Sequence, residues 1–277
     1  MAEAFIHPTA IVEEGAVLGA GVRIGPFCHV SAEAVLGDGV ELIGHVTVLG
    51  ATTLGAGCQV YPTAVLGGAP QNYKHEGGPT TLTVGRDCII REGVTLHRGT
   101  DTSRGKTTIG DNCMFMAYSH VAHDCDVGSN VTMANCACLG GHVTVGDGVI
   151  ISGYAAVHQF VRVGHHAFLA GYAAVVGDVI PYGMAVGDRA KLRGLNVIGM
   201  KRSGMARPDI MQIRKAYRLL FSEEQPLAQN IERVRQEFGG SALVMDILDF
   251  MAGRERKYFV LPARGASVEE DDEHGGA

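Results

Sequence analysis

Three residues set eighteen apart, His123, Gly141 and Gln159, are of types that do chemistry together. An imidazole with a pKa near neutrality is a natural general base. A glycine leaves its backbone N–H open as a donor to an oxyanion. A histidine beneath such a glycine would put a base beside an oxyanion donor. The same histidine also reads as a polar residue on a solvated face, and the spacing leaves both readings open.

The element that would bring them together is a repeat of six residues. Steps of six from Ile109 to Val175 meet twelve apolar anchors without a miss. In a chain that is 46% hydrophobic, chance gives that on the order of 10⁻⁴ of the time. The residue two before each anchor, from Thr107 to Ala173, is small or β-branched. The same six-residue period runs from Ile6 to Leu66, with glycine following many anchors. A six-residue period is the signature of a parallel β-helix, in which three short strands make one coil. Residue n then lies under residue n+18, about 4.8 Å away. His123, Gly141 and Gln159 are expected in one column.

The period breaks twice. Residues 67–79 hold Gly, Pro, Asn72 and Lys74, and a shorter break runs from Asp101 to Lys106. Insertions in solenoids commonly carry function on one face. Lys74 suits a phosphate or a carboxylate, or is an ordinary solvated lysine. The run after the second break is rich in histidine, including His120, His123, His142 and His158. His120 and His123 lie three apart across a corner, with no evident third ligand, so the sequence assigns no metal site.

No apolar run is long enough for a membrane span, and no secretory leader pattern opens the chain. Five of the seven cysteines occupy the small slot of the repeat, which predicts packed free thiols in a reducing, cytoplasmic setting. The net charge of −6 argues against nucleic acid as a partner. Residues 189–218 nevertheless hold nine Lys or Arg and one acid, Asp209.

The expected organisation is a mainly β chain. A hexapeptide β-helix spans residues 1–188, a C-terminal α-helical domain 189–263 and a disordered acidic tail 264–277. Residues 184–204 read as a last irregular coil or linker. One helix is expected with Pro208 in its first turn, a second capped at Ser222, and a third capped at Ser241.

Five strings carry a resemblance: His-Arg-Gly-Thr at 97–100, Ser-His-Val-Ala-His-Asp-Cys at 119–125, Gly-His-Val-Thr-Val at 141–145, Ala-Val-His-Gln-Phe at 156–160 and Gly-Leu-Asn-Val at 194–197. Residues 5 to about 221 resemble the UDP-N-acetylglucosamine O-acyltransferases of lipid A synthesis. The resemblance implies a left-handed β-helix and a homotrimer with active sites between subunits. The implied donor is a 3-hydroxyacyl group on acyl carrier protein, and the acceptor is the 3-hydroxyl of UDP-GlcNAc. It implies His123 as base, Asp124 as the residue that orients it and Gly141 as oxyanion donor. Asn72, Lys74, His120, His142, Gln159, Asn196 and Arg202 match substrate-binding positions, and Gly171 matches the position that limits acyl-chain length. A thioester is already activated, so the implied reaction needs no metal or redox cofactor. The basic run would steer acidic acyl carrier protein.

Two positions depart from the family pattern. Asn72 stands where an aspartate is common, and Ser203 where a second arginine is. Asn72 keeps open acylation of the 3-amino analogue UDP-GlcNAc3N. A hexapeptide acetyltransferase using acetyl-CoA, the sister N-acyltransferase of the pathway, a metal-dependent β-helix hydratase and a purely structural β-helix also fit the six-residue period.

Overall fold

Most hexapeptides form a two-residue strand and a turn. The computed structural model describes residues 3–253 and 258–263, so the tail 264–277 lies outside the described residues. The strands stack into three sheets of 11, 9 and 8 strands, parallel except for one terminal pair. Together they form the three faces of a left-handed β-helix.

The eighteen-residue stack is formed. Val121 pairs with Leu139, and Leu139 with Val157. The backbone of each coil bonds to the next, as in His120 N–H to Ala137 O at 2.9 Å and Ala122 N–H to Leu139 O at 3.1 Å. These bonds satisfy backbone groups that the core would otherwise leave unpaired. The anchors from Ile109 to Val175 all face inward, none more than 4% exposed. Cys28, Cys58, Cys88, Cys113 and Cys125 are buried free thiols in the small slot. The first coil leaves Phe5, Ile6, Ile11 and Val17 exposed, because no coil of the described residues lies beneath it.

The corners require a backbone conformation that L-residues rarely adopt. Asp124, His142 and Phe160 have φ of 61°, 63° and 66° along one edge. Short polar residues tolerate this region best, and the bulkier ones are held in it by the coils above and below. Both insertions open on this same edge. The first joins strand Val65–Gly68 to Thr81–Val84, and the second joins Thr95–His97 to Lys106–Ile109. In each case the chain leaves the 9-stranded sheet and rejoins the 8-stranded one. The inserted loops therefore meet the corner that carries Asp124.

After Val175 the chain is more regular than expected. Residues 184–204 are not a linker: strands Gly183–Val186 and Lys191–Leu195 pair antiparallel at the end of the 11-stranded sheet. A short helix follows, α1 (Val197–Arg202), then α2 (Arg207–Leu220), α3 (Leu227–Phe238) and α4 (Ala242–Ala252). Pro208 stands in the first turn of α2, and Ser241 caps α4 through the Val244 N–H, both as expected. The Ser222 capping box does not form. Ser222 Oγ accepts from Glu224 N–H instead, and α3 starts later, with Pro226 as its N-cap. The proline breaks the run that a helix from Ser222 would need. Arg162 ties the helices to the prism, pairing with Asp178 at 2.8 Å and lying 4.5 Å above the Phe250 ring.

Candidate active site

Neighbouring residues on a strand point to opposite faces. His123 and Asp124 escape that rule because Asp124 takes the left-handed conformation at the corner. The turn brings their side chains together, with His123 Nδ1 donating to Asp124 Oδ2 at 2.8 Å. This tautomer leaves Nε2 bare, and the Asn72 amide approaches it at 3.5 Å. Both members are buried, His123 at 8% and Asp124 at 1% exposed.

Asp124 is held from a second side. Thr100 N–H lies 3.1 Å from each carboxylate oxygen, and Thr100 Oγ1 donates to Oδ2 at 2.7 Å. Burial would raise this carboxyl, but the bonds from Thr100 and His123 outweigh it and keep the pKa below the ordinary value. Asp124 thus stays ionised and orients the imidazole.

Gly141 stands directly over the base. A Cβ built there would lie 2.6 Å from His123 Cε1 and 2.8 Å from Nε2. Only glycine leaves the imidazole face clear. The Gly141 carbonyl accepts from Phe160 N–H, and the next N–H, of His142, donates to His123 O. The Gly141 N–H has no partner among the hydrogen bonds of the described residues.

Further histidines line the same edge. The His142 ring meets His123 edge-on at 5.1 Å and stacks on Phe160 at 4.5 Å. His120 Nδ1 is 2.7 Å from Thr95 Oγ1, and its ring meets His97 edge-on at 5.0 Å. Burial lowers the pKa of His120 and of His142, with Asp124 opposing it at His142. Burial, aided by His120 and His123, pushes His97 down to about 4. Its Nδ1 is buried with no partner among the described residues.

The loops are clasped to each other. Asp101 accepts from the Glu76 and Gly78 backbone N–H groups at 3.0 and 2.8 Å, and His75 Nδ1 is 3.0 Å away. That clasp fixes the loop that carries Asn72 and the exposed Lys74. From the second loop, Arg104 reaches Asp124 O at 3.4 Å and Ser103 Oγ reaches His142 Nδ1 at 3.4 Å.

His123, Asp124, Gly141, His120, His142 and Asn72 therefore share one site. Gln159 is exposed on the coil above Gly141. The other matched residues lie elsewhere on the chain. Asn196 caps α1 through Gly199 N–H and donates to His166 O, both at 2.9 Å. Arg202 is exposed in the last turn of α1. Gly171 stands over Gly153, whose carbonyl oxygen would be 3.5 Å from an added Cβ. Nothing else crowds that position.

Three residues of this edge carry no assignment from the sequence: Thr100, Asp101 and Arg104. Thr100 closed the His-Arg-Gly-Thr string at 97–100, and Asp101 and Arg104 stood in the second break of the period. The structure also corrects the view that the histidines lack a third ligand. One nitrogen each of His123 and His142 and one Asp124 oxygen lie within 4.8 Å of one another. A cation there would have to displace the bonds that Thr100 and His123 already make to Asp124 Oδ2.

A repeat-built prism whose buried histidine–carboxylate pair sits under a bare glycine N–H is the framework of a hexapeptide-repeat acyltransferase. Residues 106–141 match the bacterial transferase hexapeptide family, and residues 178–259 match domain 2 of the UDP N-acetylglucosamine O-acyltransferases. The acyl-[acyl-carrier-protein]–UDP-N-acetylglucosamine O-acyltransferase of Mesorhizobium japonicum is 58% identical over 97% of this chain and 96% of its own. Its namesake from Brucella ovis is 55% identical over 100% and 98%. Among solved structures, the UDP-N-acetylglucosamine acyltransferase of Francisella novicida superposes with a TM-score of 0.90 at 32% identity, covering 94% of this chain and 95% of that one. The Bacteroides fragilis enzyme gives 0.89 at 31%, covering 92% and 100%. The chain belongs to the acyl-[acyl-carrier-protein]–UDP-N-acetylglucosamine O-acyltransferase family.

Proposed function

We propose that this protein moves a 3-hydroxyacyl group from acyl carrier protein to the 3-hydroxyl of UDP-GlcNAc, the first step of lipid A synthesis. The observation that carries the reading is the His123–Asp124 pair beneath Gly141, in a chain 58% identical to an enzyme named for that reaction. His123 Nε2 takes the proton of the sugar hydroxyl as oxygen attacks the thioester carbonyl. Asp124 stabilises the imidazolium that forms. The Gly141 N–H stabilises the oxyanion until the thiolate of the carrier leaves. The imidazolium then returns its proton to that thiolate.

Asn72, Lys74, His120, His142, Gln159, Asn196 and Arg202 are assigned to substrate binding, and Gly171 to the acyl groove. Asn196 and Arg202 lie outside the His123 cluster, which fits a homotrimer whose sites draw on two chains. Sedimentation equilibrium should give three times the 29.2 kDa chain mass; a monomer at working concentration would contradict the shared site. The free buried thiols fit a cytoplasmic enzyme. No helix among the described residues is long and apolar enough to cross a membrane.

The test is an acyl-transfer assay with UDP-GlcNAc and UDP-GlcNAc3N against 3-hydroxyacyl carrier proteins and acetyl-CoA. The expected result is turnover of UDP-GlcNAc with hydroxyacyl carrier protein and none with acetyl-CoA. The 3-amino sugar is the informative comparison because Asn72 turns an amide, not a carboxylate, toward His123 Nε2. Turnover of UDP-GlcNAc3N alone would make the enzyme an N-acyltransferase.

A further inference from the structure

A carboxylate that orients a base must itself be prevented from turning. The terminal torsion of aspartate is broad and roughly two-fold, so packing alone sets it weakly. Asp124 is buried, and its Oδ2 receives both His123 Nδ1–H and Thr100 Oγ1–H. Thr100 is itself 1% exposed. Its backbone N–H adds contacts of 3.1 Å to each oxygen. Thr100 thus contacts both carboxylate oxygens, and its hydroxyl shares Oδ2 with the base.

Thr100 is well placed to grip because its loop is narrow at the neck. Gly99 N–H donates to Thr81 O, and Gly105 N–H donates to Thr100 O at 3.0 Å. A Cβ on Gly99 would lie 2.0 Å from Lys106 N, so the two ends of the loop nearly touch. The insertion therefore fixes Thr100 against a corner that is one coil above it in the prism.

We infer that Thr100 is a positioning residue for the base: its hydroxyl locks the Asp124 carboxylate and so aims His123 Nε2 at the acceptor hydroxyl. The inference rests on His123 acting as the base. It gives the second insertion a role in the chemical step, distinct from the sugar-binding role of the first.

The test compares Thr100→Val, which keeps the shape and the backbone bonds, with Thr100→Ser, which keeps the hydroxyl. Misaiming a base by a fraction of an ångström costs rate, so Thr100→Val should lower kcat by about tenfold to a hundredfold. The KM for UDP-GlcNAc should hold within about twofold, since Thr100 is 1% exposed and is not among the residues assigned to the sugar. Thr100→Ser should recover most of the rate. A structural role would not give that split. In an Asp124→Ala background, Thr100→Val should cost no more than about twofold, because the two residues act as one chain. Thr100→Ala supplies the same comparison if the valine variant does not fold. Wild-type kcat in Thr100→Val, raised KM with kcat kept, or additive losses in the cycle would each overturn the inference. His123→Ala, run alongside, separates the cases: if it stays active, the base assignment fails; if it is dead while Thr100→Val is not, only the role of Thr100 fails.

Discussion

At the scale of single residues, the site works by subtraction as much as by placement. Glycine at 141 clears the imidazole below it, and an alanine there would meet His123 Cε1 at 2.6 Å. Either the ring or the coil must shift, and both hold the geometry proposed for the oxyanion. Gly141→Ala should therefore lose about a hundredfold or more in kcat, the usual worth of one oxyanion donor, with the far-ultraviolet circular dichroism unchanged. A variant with full activity would show that the oxyanion is held elsewhere. His97 bears on stability instead. Its folded pKa is pushed down to about 4 by burial and by His120 and His123. Between that value and its unfolded pKa of about 6.5 the unfolded chain binds the extra proton. Stability from this group is present above about pH 6.5 and is lost as pH falls toward 4. Thermal midpoints measured across that window should fall more steeply for the wild type than for His97→Asn. Equal slopes would mean that His97 is not buried neutral.

At the scale of elements, the prism supplies columns and the insertions supply the rest. Gly171 over Gly153 is such a column, an open notch in which an added Cβ meets only the Gly153 carbonyl at 3.5 Å. Gly171→Met is therefore expected to fold and to fill the notch. Each methylene displaced from an apolar groove is worth about 1–3 kcal/mol, so the ratio of kcat/KM for 3-hydroxymyristoyl over 3-hydroxydecanoyl carrier protein should fall. An unchanged ratio of kcat/KM for the two donors would put the ruler at another position. The columns were legible in the sequence, because the repeat alone places Val121 under Leu139 under Val157. The clasp made by Thr100 and Asp101 was not, because both sit in a loop that follows no period and bond to residues more than twenty positions away. The late start of α3 was missed because Ser222 and Gln225 fit a capping pattern that Pro226 overrides. The pairing of Lys191–Leu195 was missed because it is antiparallel and leaves the hexapeptide phase.

At the scale of the molecule, charge is divided. The whole chain carries −6, yet eight of the nine basic residues in 189–218 are exposed, on or beside the last strand, α1 and α2. An acidic carrier protein would be drawn to that region over a distance set by the Debye length, about 8 Å at physiological salt. Transfer at subsaturating hydroxyacyl carrier protein should slow as salt rises from low to physiological, while kcat at saturating donor changes little. A flat response of kcat/KM would mean that the basic surface does not guide the donor. On the histidine-lined edge, burial lowers the pKa of His97, His120 and His142, which favours their neutral forms beside the ionised Asp124.

The central proposal is that His123 removes the proton of the acceptor hydroxyl. The most direct measurement is the steady-state rate of acyl transfer from 3-hydroxyacyl carrier protein to UDP-GlcNAc by His123→Ala, with its fold verified by circular dichroism. The expected kcat is lower by about 10²–10⁴, the usual contribution of a general base. A kcat close to that of the wild type would contradict the assignment.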